Sequence, residues 1–171
     1  MHESMNNMLN SANNISMNKR VYFLNNDKIL MAGAIGAFSS VPAEIVTRLL
    51  LFFGIGKYSA YQLDSLFFTI NRPTAIIGLI VCFIVGGLSA ILLYFAFKKL
   101  GSNNLVIKCG MFGLFMCLSM QILLIISIEG KFIDIRPISD YYIHMFGAFI
   151  FGITEGLLFK RFLFNKTTQQ D

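Results

Sequence analysis

The chain has 171 residues, 56% hydrophobic and only 13% charged, with 14 Lys and Arg against 9 Asp and Glu for a formal charge of +5. A soluble domain usually carries about 25% charged residues, so the deficit points to an integral membrane protein with the lipid bilayer as its first partner. The basic excess does not indicate nucleic acid: the Lys and Arg stand at the ends of apolar runs as interfacial anchors, with no basic stripe or interleaved aromatics.

Residues 1–28 are rich in Asn, Ser and Met without an apolar period, and read as a disordered cytoplasmic tail. The first apolar run, 29–55, would extend roughly 40 Å as a helix, enough to cross a bilayer. Two ionisable residues interrupt it, Glu44 and Arg48, spaced one helical turn apart and therefore expected to pair. The same face reads Gly33, Ala37, Ser40, Glu44, Arg48, a small and polar stripe suited to helix packing. Val41-Pro42-Ala43 has the small-residue character of a signal cleavage site, but the apolar run resumes at Ile45, so Pro42 is read as a kink inside one helix.

Between 54 and 73 the pattern changes. Ser59 and Gln62 form a capping box, and Leu63, Leu66, Phe67 and Ile70 make one apolar stripe, with Asp64 and Ser65 off it. About eleven residues are too few to span, so a short interfacial helix is expected, the alternative being a cap folded over the bundle.

The second span, 74–97, carries no charge and offers Gly86, Gly87 and Ala90 for close approach; Lys98 and Lys99 end it. A tight turn at 101–104 leads to the third span, 105–128, which holds Lys108 and Gln121. The loop 129–140 precedes the fourth span, 141–164, with Ala148, Gly152 and Gly156 as a small-residue ladder flanked by His144 and Glu155. Residues 165–171 are a polar tail. The fold class is all-α: a polytopic bundle of four transmembrane helices over 29–164, with the interfacial helix between the first and second spans.

Nine Lys and Arg fall in the N-terminal tail, the 98–108 region and the C-terminus, against four in the other two loops. The positive-inside rule then makes both termini cytoplasmic in a multi-pass protein of the plasma membrane. Counting along the spans puts Glu44, Arg48, Gln121 and His144 in the outer half, and Lys108 and Glu155 near the inner interface. The small-residue stripes of the first and fourth helices are expected to pack face to face, with Glu44 and Arg48 between them. Lys108 and Glu155, on antiparallel neighbours, are expected to pair.

No nucleophile elbow, zinc-protease helix, aspartate pair or nucleotide loop occurs, so no catalytic residue, cofactor or enzyme activity is expected. Cys82, Cys109 and Cys117 are odd in number, without metal-ligand spacing, and two histidines are too few for a metal site. Two functions stay open. One is a structural or interaction protein, packed through its small-residue faces with buried charge pairs, as a homo-oligomer or with a membrane-protein partner. The other is a small transporter or channel using the intramembrane Glu, His and Arg for ion or proton movement.

The sequence Ala32-Gly33-Ala34-Ile35-Gly36-Ala37, followed by Tyr58, Tyr61 and Asp64 in an amphipathic loop and by Arg72-Pro73, resembles small four-helix membrane proteins of low-GC, spore-forming Gram-positive bacteria. The resemblance covers 33–100 and implies four helices in a bacterial inner membrane. It carries no activity, so no functional residue is transferred from it.

Overall fold

The computed structural model describes residues 2–101 and 103–164, with side chains from 27 onward. Five helices follow in order: α1 (His2–Phe52), α2 (Ala60–Thr69), α3 (Ala75–Leu100), α4 (Leu105–Ser127) and α5 (Ile138–Phe162). Four segments are long and apolar enough to cross a membrane: Asp27–Phe52 within α1, and the whole of α3, α4 and α5. The stretch expected as an N-terminal tail continues α1 as helical backbone, its side chains lying outside the description; the expected C-terminal tail, 165–171, lies outside it altogether.

Helix boundaries follow local chemistry. Gly54 ends α1 in a left-handed conformation (φ +77°), its amide bonding to the Leu51 carbonyl while Ile55 reaches back to Leu50. That paired return is the Schellman termination, which glycine permits without steric cost. The helix stops three residues before the apolar run does, because the backbone turn outranks hydropathy. Pro42 lies inside α1 without ending it.

The packing order across the bundle is α3, α1, α5, α4, set by where two backbones can meet. A Cβ at Gly36 would overlap the Gly86 carbonyl and Ala90, so α1 and α3 touch through backbone. The ladder on α5 does the same against α4: Gly152 rests on the Cys109 carbonyl, Gly156 on Val106, and Ala148 offers its carbonyl to Gly113. The expected face-to-face packing of the first and fourth span stripes does not occur. The Gly33 side of α1 faces Gly87 and Ile91 of α3, and α1 meets α5 through a different edge, where Thr47 and Ala43 lie against Gly147. Ala37 is only half-buried, while Ala32, Ser39 and Thr47 are fully buried. The buried face is thus rotated from the stripe read off the sequence.

Although consecutive, α3 and α4 pack mainly on other helices. Near the turn that joins them, Leu93, Tyr94 and Phe97 cluster with Leu105, Cys109 and Phe159, and the rings of Phe97, Phe159 and Phe164 meet edge-on or tilted. We call this the basic end, after Lys98, Lys99, Lys160 and Arg161. At the opposite end α2 packs along α3 and inserts Leu63 and Leu66 against Leu124 of α4 and Ile128 just after it. It is a wedge between α3 and α4.

Candidate functional site

The polar residues of the wedge end are organised by the N-terminus of α2. Three amides of its first turn have no partner within the helix. The Ala60 amide donates to Thr47 Oγ1 at 3.1 Å, Tyr61 to Glu44 Oε2 at 2.8 Å, and Gln62 to Ser59 Oγ at 3.3 Å. The Gln62 side chain accepts in return from the Ser59 amide, completing the capping box read from the sequence. Glu44 also accepts from Ser59 Oγ at 2.9 Å and Arg48 Nε at 2.6 Å. A carboxylate 5% exposed is thereby met by three donors and the positive end of a helix dipole. The Glu44–Arg48 pair forms, but it faces α2 rather than the α1–α5 interface, and the Arg48 side chain stays 54% exposed.

A second network closes the same end from the α4–α5 side. The buried Arg136 guanidinium donates to Glu129 at 3.0 Å and to Gln121 Oε1 at 2.7 Å, and lies 4.7 Å from the centre of the Tyr141 ring. Burial pushes the Glu129 carboxyl up, but the Arg136 amide, its guanidinium and the Tyr141 hydroxyl all donate to it and hold it below the usual carboxylate range. Sequence reasoning counted Arg136 only as a loop charge. Its place beside Pro137, at the mouth of a span, was the available signal.

Beneath α2 lies a cavity of about 140 Å³ with walls from all five helices. Its polar lining includes Ser40, Tyr61, Asp64, Cys82, Gln121 and His144; Val85, Met116, Met120 and Phe151 are among its apolar walls. The stripe reading put Asp64 and Ser65 on the outer side of α2. They face inward: Ser65 is fully buried and bonded to the Thr74 amide, whereas Phe68 is 69% exposed. Nothing in a helical wheel of α2 alone distinguishes these faces, since the bundle's interior here is polar.

Bond directions follow from the partners. His144 Nδ1 lies 2.5 Å from the Asp140 carbonyl, an obligate acceptor, so this nitrogen carries the proton and Nε2 of the neutral ring is an acceptor. Gln121 turns its oxygen to Arg136, leaving its NH2 as donor. Neither His144 Nε2 nor Gln121 Nε2 makes a hydrogen bond of good geometry among the described residues, the Ser59 backbone lying beside the His144 ring and the Cys117 thiol beside the Gln121 side chain. Ser40 Oγ donates to the Ala37 carbonyl and lies 3.1 Å from the Tyr61 hydroxyl, which therefore donates to it. Asp64 Oδ2 accepts from the Cys82 thiol at 2.7 Å, and no ion pair joins Asp64 to a described Lys, Arg or His. Burial is the main reason its carboxyl is raised to about 6, with the thiol acting in the opposite direction.

No protein-family model, curated protein or solved structure matches this chain. The chemistry of the cavity alone therefore carries the functional reading.

The other sequence candidates lie apart from it. Glu155 is fully buried on α5 near Cys109, and both its oxygens lack partners among the described residues. The expected Lys108–Glu155 pair does not form: Lys108 is exposed and donates to the Gly101 carbonyl at 3.2 Å. Phe151 lies one helical turn before Glu155 on α5 and contributes to the cavity wall, while Glu155 does not. His144 and Glu155 form no relay. Among the described residues no three His, Cys, Asp or Glu side chains gather as a metal site, and the three cysteines are free thiols.

Proposed function

We propose that this chain is a multi-pass membrane protein that holds a small molecule in the cavity beneath α2. The four span-length helices support the membrane placement, and the positive-inside rule assigns the basic end to the cytoplasm, which leaves α2 and the cavity toward the outer face of the plasma membrane. The observation that carries the binding reading is a cavity lined by His144 and Gln121, each with a buried nitrogen that makes no hydrogen bond of good geometry, together with an Asp64 that has no cation beside it. Buried polar groups are normally satisfied, so groups left open around a cavity argue for a ligand.

Two alternatives fit less well. Docking to a partner through the small-residue ladders is disfavoured because Gly36, Gly86, Gly152 and Gly156 are all spent on contacts within the chain. Passage of an ion or proton would have to breach the aromatic cluster at the basic end, where Phe97 and Phe159 are both buried.

The test is a variant that occupies the space. Val85 lines the cavity and is 36% exposed, so Val85→Trp fills volume without breaking a hydrogen bond. Extracts of wild-type protein purified from its membrane should hold a small molecule near one per chain that the Val85→Trp extract lacks, with the variant keeping the wild-type helical circular dichroism. Identical extracts would sink the binding reading.

A further inference from the structure

We propose that the ligand of this cavity carries a primary ammonium group on a compact apolar body, with Asp64 as its counter-charge. The inference rests on the binding reading above and adds the chemistry of the ligand.

The open valences around the cavity are unequal. His144 Nε2 is an acceptor by the tautomer argument, the Tyr61 hydroxyl spends its proton on Ser40 and keeps lone pairs, and Asp64 uses one oxygen on Cys82. Three acceptors thus stand against one donor, the Gln121 amide. A ligand rich in donors fits that set, and an ammonium supplies three N–H bonds and a charge.

Charge separates an ammonium from a neutral hydroxyl. Of the other carboxylates of the wedge end, Glu44 and Glu129 each have their own arginine, Asp134 lies 4.0 Å from Lys57 Nζ, and the buried Asp140 accepts from the Lys57 amide. None of the four lines the cavity, and Asp64 is the carboxylate that does. Asp64 has no cation beside it, and in a low-dielectric wall an unpaired carboxylate is costly unless it is protonated or meets a cation. The remaining walls, Leu63, Val85, Met116, Met120 and Phe151, are apolar and suit a hydrocarbon body, with Phe151 offering an aromatic face. The volume of about 140 Å³ limits that body to a few carbon atoms or one ring.

The way in follows from the fold. Between the α2 wedge and the turn at 101–104, α3 and α4 leave each other unpacked, and Cys82, Met116, Cys117 and Met120 on the two sides of the cavity are only half-buried. This gap faces lipid in the proposed placement, so a membrane-partitioned amine reaches the cavity sideways.

Three probes with one body and different heads decide the matter: cyclohexylmethylamine, cyclohexylmethanol and cyclohexanecarboxylic acid. They are titrated into the full-length protein in phosphatidylcholine nanodiscs at pH 7.5, with affinity read from thermal-shift curves. The amine should bind at least tenfold tighter than the alcohol, the acid should not bind measurably, and Val85→Trp should abolish all binding. Asp64→Asn should bring the amine down to the affinity of the alcohol. Equal binding of amine and alcohol by the wild type, or tightest binding by the acid, overturns the ammonium proposal while leaving the cavity as a binding site. Absence of any shift that Val85→Trp removes overturns both. Should Asp64→Asn not purify, the ranking of heads in the wild type decides alone.

Discussion

Glu44 and Glu155 are both carboxylates buried on span-length helices, at 5% and 0% exposure, and their surroundings are opposite. Glu44 is met by Arg48, Ser59 and the α2 backbone; Glu155 has no partner on either oxygen among the described residues. The difference lies in the chain that connects the helices at each end. The wedge end has long connections, which return amides, hydroxyls and Arg136 into the bundle. The basic end has a short turn between α3 and α4 and packs aromatic rings instead. Burial of a charged residue therefore says little by itself; what the neighbouring backbone can donate decides whether it is anchored or left open.

The largest effect is expected where a buried pair at the wedge end loses one member. Arg136→Met strands Glu129 and frees the Gln121 oxygen, and should cost about 3–5 kcal/mol, read as loss of the folded fraction on thermal melting. An unchanged melting temperature would mean the cluster is not the anchor of that end.

Glu44→Gln tests the same end from α1. It removes the charge that faces the α2 dipole and leaves Arg48 uncompensated, for a loss of about 2–3 kcal/mol. Because Arg48 is half in solvent, Glu44→Gln with Arg48→Gln should recover only part of that loss, and the double variant should remain less stable than wild type. Full recovery would show that the α2 amides contribute nothing to holding Glu44.

At the basic end the sign reverses. Glu155→Leu removes a polar group that no described residue satisfies, and should raise stability by about 1–3 kcal/mol, seen as a higher melting temperature in the same detergent. A loss of stability would reveal a bound species on Glu155 and erase the contrast with Glu44.

The smallest effect concerns Asp64, and it depends on pH. Its carboxyl is raised in the fold from 3.8 to about 6, so the folded state prefers the protonated form. Below pH 4 both states are protonated and no penalty applies; stability is lost as pH climbs from about 4 through 6, and the penalty is complete above that. Asp64→Asn should therefore gain about 1–2 kcal/mol over wild type at pH 7.5 and nothing at pH 4, in protein stripped of ligand. A gain independent of pH would mean that Asp64 does not titrate in this range.

By itself the sequence determined the elements. Four apolar runs set four span-length helices, since hydropathy over some twenty residues needs no knowledge of neighbours. The Ser59–Gln62 box set the start of α2, and the spacing of Glu44 and Arg48 set their pairing, because each is a contact between residues three or four apart. Which stripe meets which was not legible. Gly36 and Gly152 could each dock on any small-residue face, and the choice of α3 for one and α4 for the other depends on how all the helices close together. Tertiary structure also turned Asp64 inward, brought Arg136 to Gln121 and left Glu155 alone, because those outcomes rest on donors and acceptors from distant parts of the chain meeting in three dimensions.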